Sequence, residues 1–117
     1  MTNATLHHWD SIPEEQLSAG VRRRYVTTDR VTLARFALSS GAVVRMHSHE
    51  NEQISHVLSG VARFTVAGET IVAHAGDVLQ IPSMAEHGVE IVEDAIIIDV
   101  FSPVRQDWID GADAYLR

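Results

Sequence analysis

Short runs of β-branched and aliphatic residues, each closed by a turn signal, fill the middle of the chain. Residues 31–38 alternate in part between apolar and polar positions and stop at Ser39-Ser40-Gly41. Residues 43–49 follow, then 54–58 ending at Ser59-Gly60, 61–66 ending at Ala67-Gly68-Glu69, and 70–73 ending near Ala75-Gly76-Asp77. Residues 78–81 stop at Pro82, residues 88–92 turn at Glu93-Asp94, and residues 95–101 close the series. Strands so short and so regularly punctuated predict an antiparallel sandwich or barrel. A helical reading fails because Gly, Pro and β-branched residues recur too often. With no internal repeat, low-complexity tract or composition break, residues 1–117 read as one all-β domain with its barrel core at about 31–101.

The ends read differently. Residues 13–17, after Ser11, predict a short helical turn, and residues 107–116 a weak C-terminal helix that Gly111 works against. Arg22-Arg23-Arg24 is a charge run, read as a solvated or ion-pairing face before an anion site. Nine Lys and Arg against 16 Asp and Glu leave a net charge of −7, which argues against a general nucleic-acid binder. No apolar run approaches the roughly 18 residues that span a bilayer. The first ten residues lack a basic and then apolar leader pattern, so a cytoplasmic location is expected. Cysteine is absent, which removes disulfides, a thiolate nucleophile and sulfur-ligated zinc.

Seven histidines change the picture. His47 and His49 are two apart, so on a strand their imidazoles share a face. Gln53 opens the next predicted strand and, if that strand is an antiparallel neighbour, comes back over them. His87 starts a later one, past Pro82. Three imidazoles and an amide oxygen would suit one divalent transition metal (Ni, Zn, Fe or Mn) better than Ca or Mg. From His47 and His49 alone, a merely solvated strand face stays equally open. His56 lies at odd offset from Gln53 and is expected to face away, His74 sits by a turn, and His7 and His8 are expected to be exposed.

The last predicted strand carries a carboxylate, Asp99, inside an apolar run, which is costly unless that group is paired, metal-bound or used. Asp99 shares a face with Ile97 and Phe101, and Arg105 follows within reach. Two readings are open: an Asp99–Arg105 ion pair (or an outward Asp), and a proton-moving carboxylate with Arg105 gripping an anion in a bidentate fork.

The spacing Gly41, five residues, His47, one residue, His49, three residues, Gln53, six residues, Gly60 resembles the first cupin motif, with Gln53 where that motif expects Glu. Gly76, five residues, Pro82, and then His87 resembles the second, with Met84 where the family has Gly and Ile91 where it has Asn. Residues 47–60 and the Asp99-Val100-Phe101-Ser102-Pro103-Val104-Arg105 tail look like the cupins of the KdgF pectin-degradation type, and the resemblance runs from about Arg22 to Asp110. It implies a small jelly-roll barrel, a metal held by His47, His49, Gln53 and His87, and roles in activity for Asp99, Phe101 and Arg105. It also implies the reaction of that family: opening the ring of 4,5-unsaturated uronates released from pectin or alginate to the linear 4-deoxy-5-hexoseulose uronate, with no redox change.

A ligand set without a carboxylate leaves a dication its full charge, which favours a small anionic sugar despite the acidic protein. No nucleic acid or membrane partner is expected. Exposed strand edges favour a homodimer. The rival readings are another metal-dependent cupin enzyme such as a dioxygenase, and a non-catalytic sugar-binding cupin.

Overall fold

The computed structural model describes residues 3–117. Eight strands follow a short 3-10 turn at Trp9–Ser11: β1 Glu15–Ser18, β2 Val21–Thr27, β3 Thr32–Leu38, β4 Val43–His47, β5 Glu52–Val66, β6 Glu69–His74, β7 Val78–Ile81 and β8 His87–Ser102. A four-residue helix, α1 Gln106–Ile109, and a 3-10 turn at Ala114–Leu116 end the chain. Every pairing is antiparallel, in the order β1-β2-β3-β8-β5-β6, with β4 also on β8 and β7 also on β5.

Two long strands make this a jelly roll. The first half of β5 pairs with β7 and its second half with β6. The start of β8 pairs with β4 and its end with β3. Each therefore passes from one sheet to the other, and the two sheets curl around one core that includes Phe36, Phe64, Ile91, Ile97, Phe101 and Trp108. Among the described residues no helix is long and apolar enough to cross a membrane.

The two turns expected inside these strands, at Ser59-Gly60 and Glu93-Asp94, are not turns. The chain runs straight through both, because each faces the other across a β5–β8 irregularity. On β5 the inward positions change from Gln53, Ser55 and Val57 to Ala62, Phe64 and Val66, an odd-to-even switch. Pairing slips by one residue, from Val57↔Ile97 to Ala62↔Ile91. Without that irregularity one half of the strand would turn its apolar set to solvent. Gly60 sits at the switch with φ +84°, and a Cβ there would fall on the Asp94 carbonyl oxygen and 2.7 Å from the Ala95 Cα. Gly60→Ala is expected to destabilise the fold by on the order of 3 kcal/mol, seen as a lower urea midpoint at unchanged slope.

The ends correct the local reading. Residues 13–17 are not helical: β1 takes Glu15–Ser18 and pairs with β2, so the sheet begins well before residue 31. The arginine run lies on β2 and is an ion-pairing face. Arg22 and Arg24 meet Glu14, whereas Arg23 points inward, 1% exposed, onto Glu15 and Asp113. The expected C-terminal helix is split into α1 and the last 3-10 turn by Gly111, at φ +74°.

Candidate metal centre

Four of the predicted residues meet at one end of the barrel. His47 closes β4 and lies opposite His87, the first residue of β8. The strand stops at His47, so His49 stands on the following loop and not on the strand; the two rings still converge, with centroids 5.6 Å apart. His87 lies 4.3 Å from His47 and 4.9 Å from His49 by ring centroid. One ring nitrogen from each of the three falls within 4.8 Å of the others.

The backbone decides which nitrogens face inward. Nδ1 of His47 donates to the Arg45 carbonyl at 2.7 Å, Nδ1 of His49 to Asn51 at 3.1 Å, and Nδ1 of His87 to Ala85 at 2.8 Å. With Nδ1 protonated, a neutral imidazole keeps a bare lone pair on Nε2. Burial holds the rings neutral: it lowers His47 and His49 to about 4, and it lowers His87 as well. The neighbouring imidazoles and Arg105 add to this.

Gln53, on β5, completes the cluster. Its amide nitrogen donates to Ser55 Oγ at 3.0 Å, which turns Oε1 toward His49 Nε2 at 3.2 Å. Both of those atoms are acceptors. Two acceptors held that close in a buried site lack the positive centre that would reconcile them, and the buried Nε2 of His87 likewise has no partner. Three inward lone pairs and one amide oxygen therefore fit a divalent transition metal as a donor set.

Asp99 faces the same interior from β8, opposite Ser55. It is buried, its Oδ1 has no hydrogen-bond partner, and burial raises its carboxyl to about 6 against the pull of Ser55, Arg105 and Gln53. The Asp99–Arg105 ion pair, one of the two readings left open, does not form. Arg105 is buried, and its Nε and Nη2 fork onto Asp107 at 3.0 and 2.7 Å, with the guanidinium 4.7 Å from the Phe101 ring centroid. The bidentate edge assigned to an anion is thus already used, and only the Nη1 side remains. Phe101 lies in the wall, edge-on to His49 and Trp108. His56 points outward and His7 and His8 are exposed, as expected, and His74, by its turn, is exposed as well.

Three supporting residues escaped the reading of the chain. Asn51 is buried and donates to the carbonyls of Pro103 and Val104, tying the histidine loop to the segment before α1. Thr32 Oγ1 accepts the Arg105 amide at 3.0 Å. Tyr115 stacks on His47, centroids 4.4 Å apart at 30°. A polar residue in a polar stretch (Asn51) and an aromatic near the C-terminus carry no local signal of such contacts.

Comparison with known proteins agrees with this geometry. The cupin domain model matches residues 34–101. The pectin degradation protein KdgF of Dickeya dadantii is 30% identical over 103 residues, covering 86% of this chain and 94% of that protein. The structure of KdgF from Halomonas sp. superposes with a TM-score of 0.85 at 27% identity, over 91% of this chain and 99% of the other. An RmlC-like cupin from Shewanella frigidimarina gives 0.85 at 26% identity, over 91% and 96%. Strand order, the inward histidines and these likenesses agree: the chain belongs to the cupin family, with the pectin degradation protein KdgF among its relatives.

Proposed function

We propose that this cupin opens the ring of 4,5-unsaturated uronate monosaccharides from pectin or alginate breakdown, as a metal-dependent isomerase. The observation that carries the reading is the juxtaposition of a neutral acceptor cluster, His47, His49, His87 and Gln53, with the buried carboxylate of Asp99, whose Oδ1 has no hydrogen-bond partner. Bound there, a dication would supply a Lewis acid for a sugar oxygen or carboxylate.

The rest falls to the chain. The anomeric hydroxyl must lose a proton as the bond between C1 and the ring oxygen breaks. The ring oxygen then leaves as an enol, and a proton delivered to C4 turns that enol into the 5-ketone. Atoms and electrons balance within the one molecule. Asp99 is the group placed to take and return the proton. Phe101 keeps water from one wall. Arg105, held rigid by Asp107 and Thr32, offers its remaining edge to the uronate carboxylate.

The direct test is ultraviolet absorbance. Metal-loaded protein should abolish the absorbance of the unsaturated uronate from galacturonate, or of the single one that guluronate and mannuronate both give, faster than a no-protein control. Rates equal to the control's for both compounds would sink the reading. Arg105→Ala should raise KM by about tenfold or more, the worth of one charge-assisted hydrogen bond, as read by steady-state kinetics. That variant also frees Asp107, so Arg105→Lys serves as its charge-conserving companion.

A homodimer is part of the same reading. Ile54, Leu58 and Val78 are exposed on the outer face of β5 and β7, beside half-buried Ile98 and Val100 of β8. These exposed apolar side chains, interspersed with exposed His56 and Gln80, favour self-association. Sedimentation should give a dimer, and Ile54→Asp should shift it toward monomer.

A further inference from the structure

The cavity that His47, His87, Asp99 and Tyr115 line together has a volume of about 50 Å³. A water needs roughly 10–15 Å³ of such space, so the narrow inner part takes a few waters, and a six-carbon sugar acid would also need the open mouth of the cavity. One wall of it belongs to the C-terminal segment, through Tyr115 and Leu116.

That wall shares the core through buried Leu116 and through Tyr115, but its backbone is not bonded into the sheet. Among the described residues no backbone–backbone hydrogen bond joins 113–117 to a strand. Side chains hold it instead. Arg45, next to the histidines, donates to the carbonyls of Ala114 and Tyr115 at 3.3 and 3.4 Å. Asp113, 1% exposed, meets Arg23 at 3.0 Å and Arg117 at 3.2 Å. Arg117 reaches Glu15 at 3.5 Å. The latch is incompletely satisfied, because the buried Nη1 of Arg23 has no partner, and this lowers the cost of releasing it. Gly111, left-handed at φ +74° with open space around it, precedes the segment and can absorb a change of direction.

Tyr115 is the polar group this segment puts into the cavity. Its ring covers His47, and its hydroxyl accepts from Arg105 Nη2 and from Trp108 Nε1. Accepting twice leaves the phenolic hydrogen free to donate.

We propose that residues 112–117 form a gate latched by Arg23–Asp113–Arg117, which releases to admit the ligand and, closed again, presents the Tyr115 hydroxyl to one of its oxygens. Only the identity of that ligand rests on the uronate reading.

Hydrogen exchange of the metal-loaded protein, read by mass spectrometry, tests the gate without any substrate. In Asp113→Asn, amides of 112–117 should exchange about tenfold faster while those of β5 and β8 stay unchanged, with circular dichroism and metal content as in the parent. Should that variant not fold, Arg117→Ala removes only the half-exposed arm of the latch and should give a smaller rise confined to the same amides. Exchange in 112–117 that stays as slow as in β5 and β8, in parent and variant alike, overturns the gate. Steady-state kinetics test the hydroxyl. Tyr115→Phe keeps the stacking ring and should raise KM for the unsaturated uronate about tenfold with kcat nearly constant. An unchanged KM removes Tyr115 from ligand binding. A parent protein inactive on every uronate sinks the uronate reading and with it this role of Tyr115, whereas the exchange result still decides the gate.

Discussion

Asp99→Asn is expected to keep the fold and the metal and to lower turnover by about 10²–10⁴-fold, the contribution of a positioned proton-transfer group. The side chains are nearly isosteric, so packing against Ile97 and Phe101 on the same face of β8 persists. What is lost is the capacity to accept a proton. Burial raises the Asp99 carboxyl to about 6, so the ionised form gains population as pH rises through that value. A dication in the histidine cluster opposes burial and extends the ionised range to lower pH. If Asp99 takes the anomeric proton, kcat of the parent falls on acidification through its pKa, and the Asn variant lacks that limb. Rate–pH profiles of both proteins, with metal content measured on the same samples, check this. Equal rates in the two proteins would take Asp99 out of the mechanism.

Removing an inward lone pair should have an equally large effect by a different route. His87→Ala is expected to weaken metal binding by more than about 100-fold and to abolish turnover, while the barrel remains folded. The fold survives because the His87 side chain makes one hydrogen bond, to Ala85, and contributes no apolar packing to the core cluster. Deleting it also removes a buried nitrogen that has no partner in the protein alone. Elemental analysis of unchelated protein and titration with Ni, Zn, Fe(II) and Mn read the outcome. Stoichiometric metal in the variant, or none in a parent that also fails to retain added ions, would overturn the assignment of the cluster. The two variants separate roles: Asp99→Asn should lose chemistry with metal retained, and His87→Ala should lose both.

The arrangement has a consistent electrostatic logic. The chain is acidic overall, and at the end of the barrel that would take the substrate Asp107 and Asp99 offset Arg105 and Arg45, so a dication held by a ligand set without a carboxylate would supply the positive charge. Charge within a Debye length of the site outweighs the distant net charge for a small anion. Gln53 contributes to this as an amide: it offers an oxygen to the cluster without adding a negative charge, and Ser55 fixes which end it offers.

Much of this was legible along the chain. Two-residue alternation marks strands, glycines such as Gly41, Gly68 and Gly76 mark turns, and the parity of Gln53, Ser55 and Val57, like that of Ile97, Asp99 and Phe101, says which side chains share a face. Those signals are local, because they reflect the φ/ψ and the pleat of a few consecutive residues. They raised His47, His49, Gln53 and Asp99 as candidates and turned His56 outward, but left other readings open, and it was the spacing resembling the cupin motifs that grouped His47, His49, Gln53 and His87 as one ligand set. Only the tertiary structure decided that β5 and β8 run unbroken through Gly60 and Asp94, since the slip between two strands exists only once they are paired. It likewise decided that Arg105 takes Asp107 and not Asp99, that Arg23 alone of its run is buried on Asp113, and that Tyr115 closes over His47. Each is a contact whose geometry depends on how the two sheets curl and where the chain's end is laid across them, and no periodicity in the intervening residues encodes that.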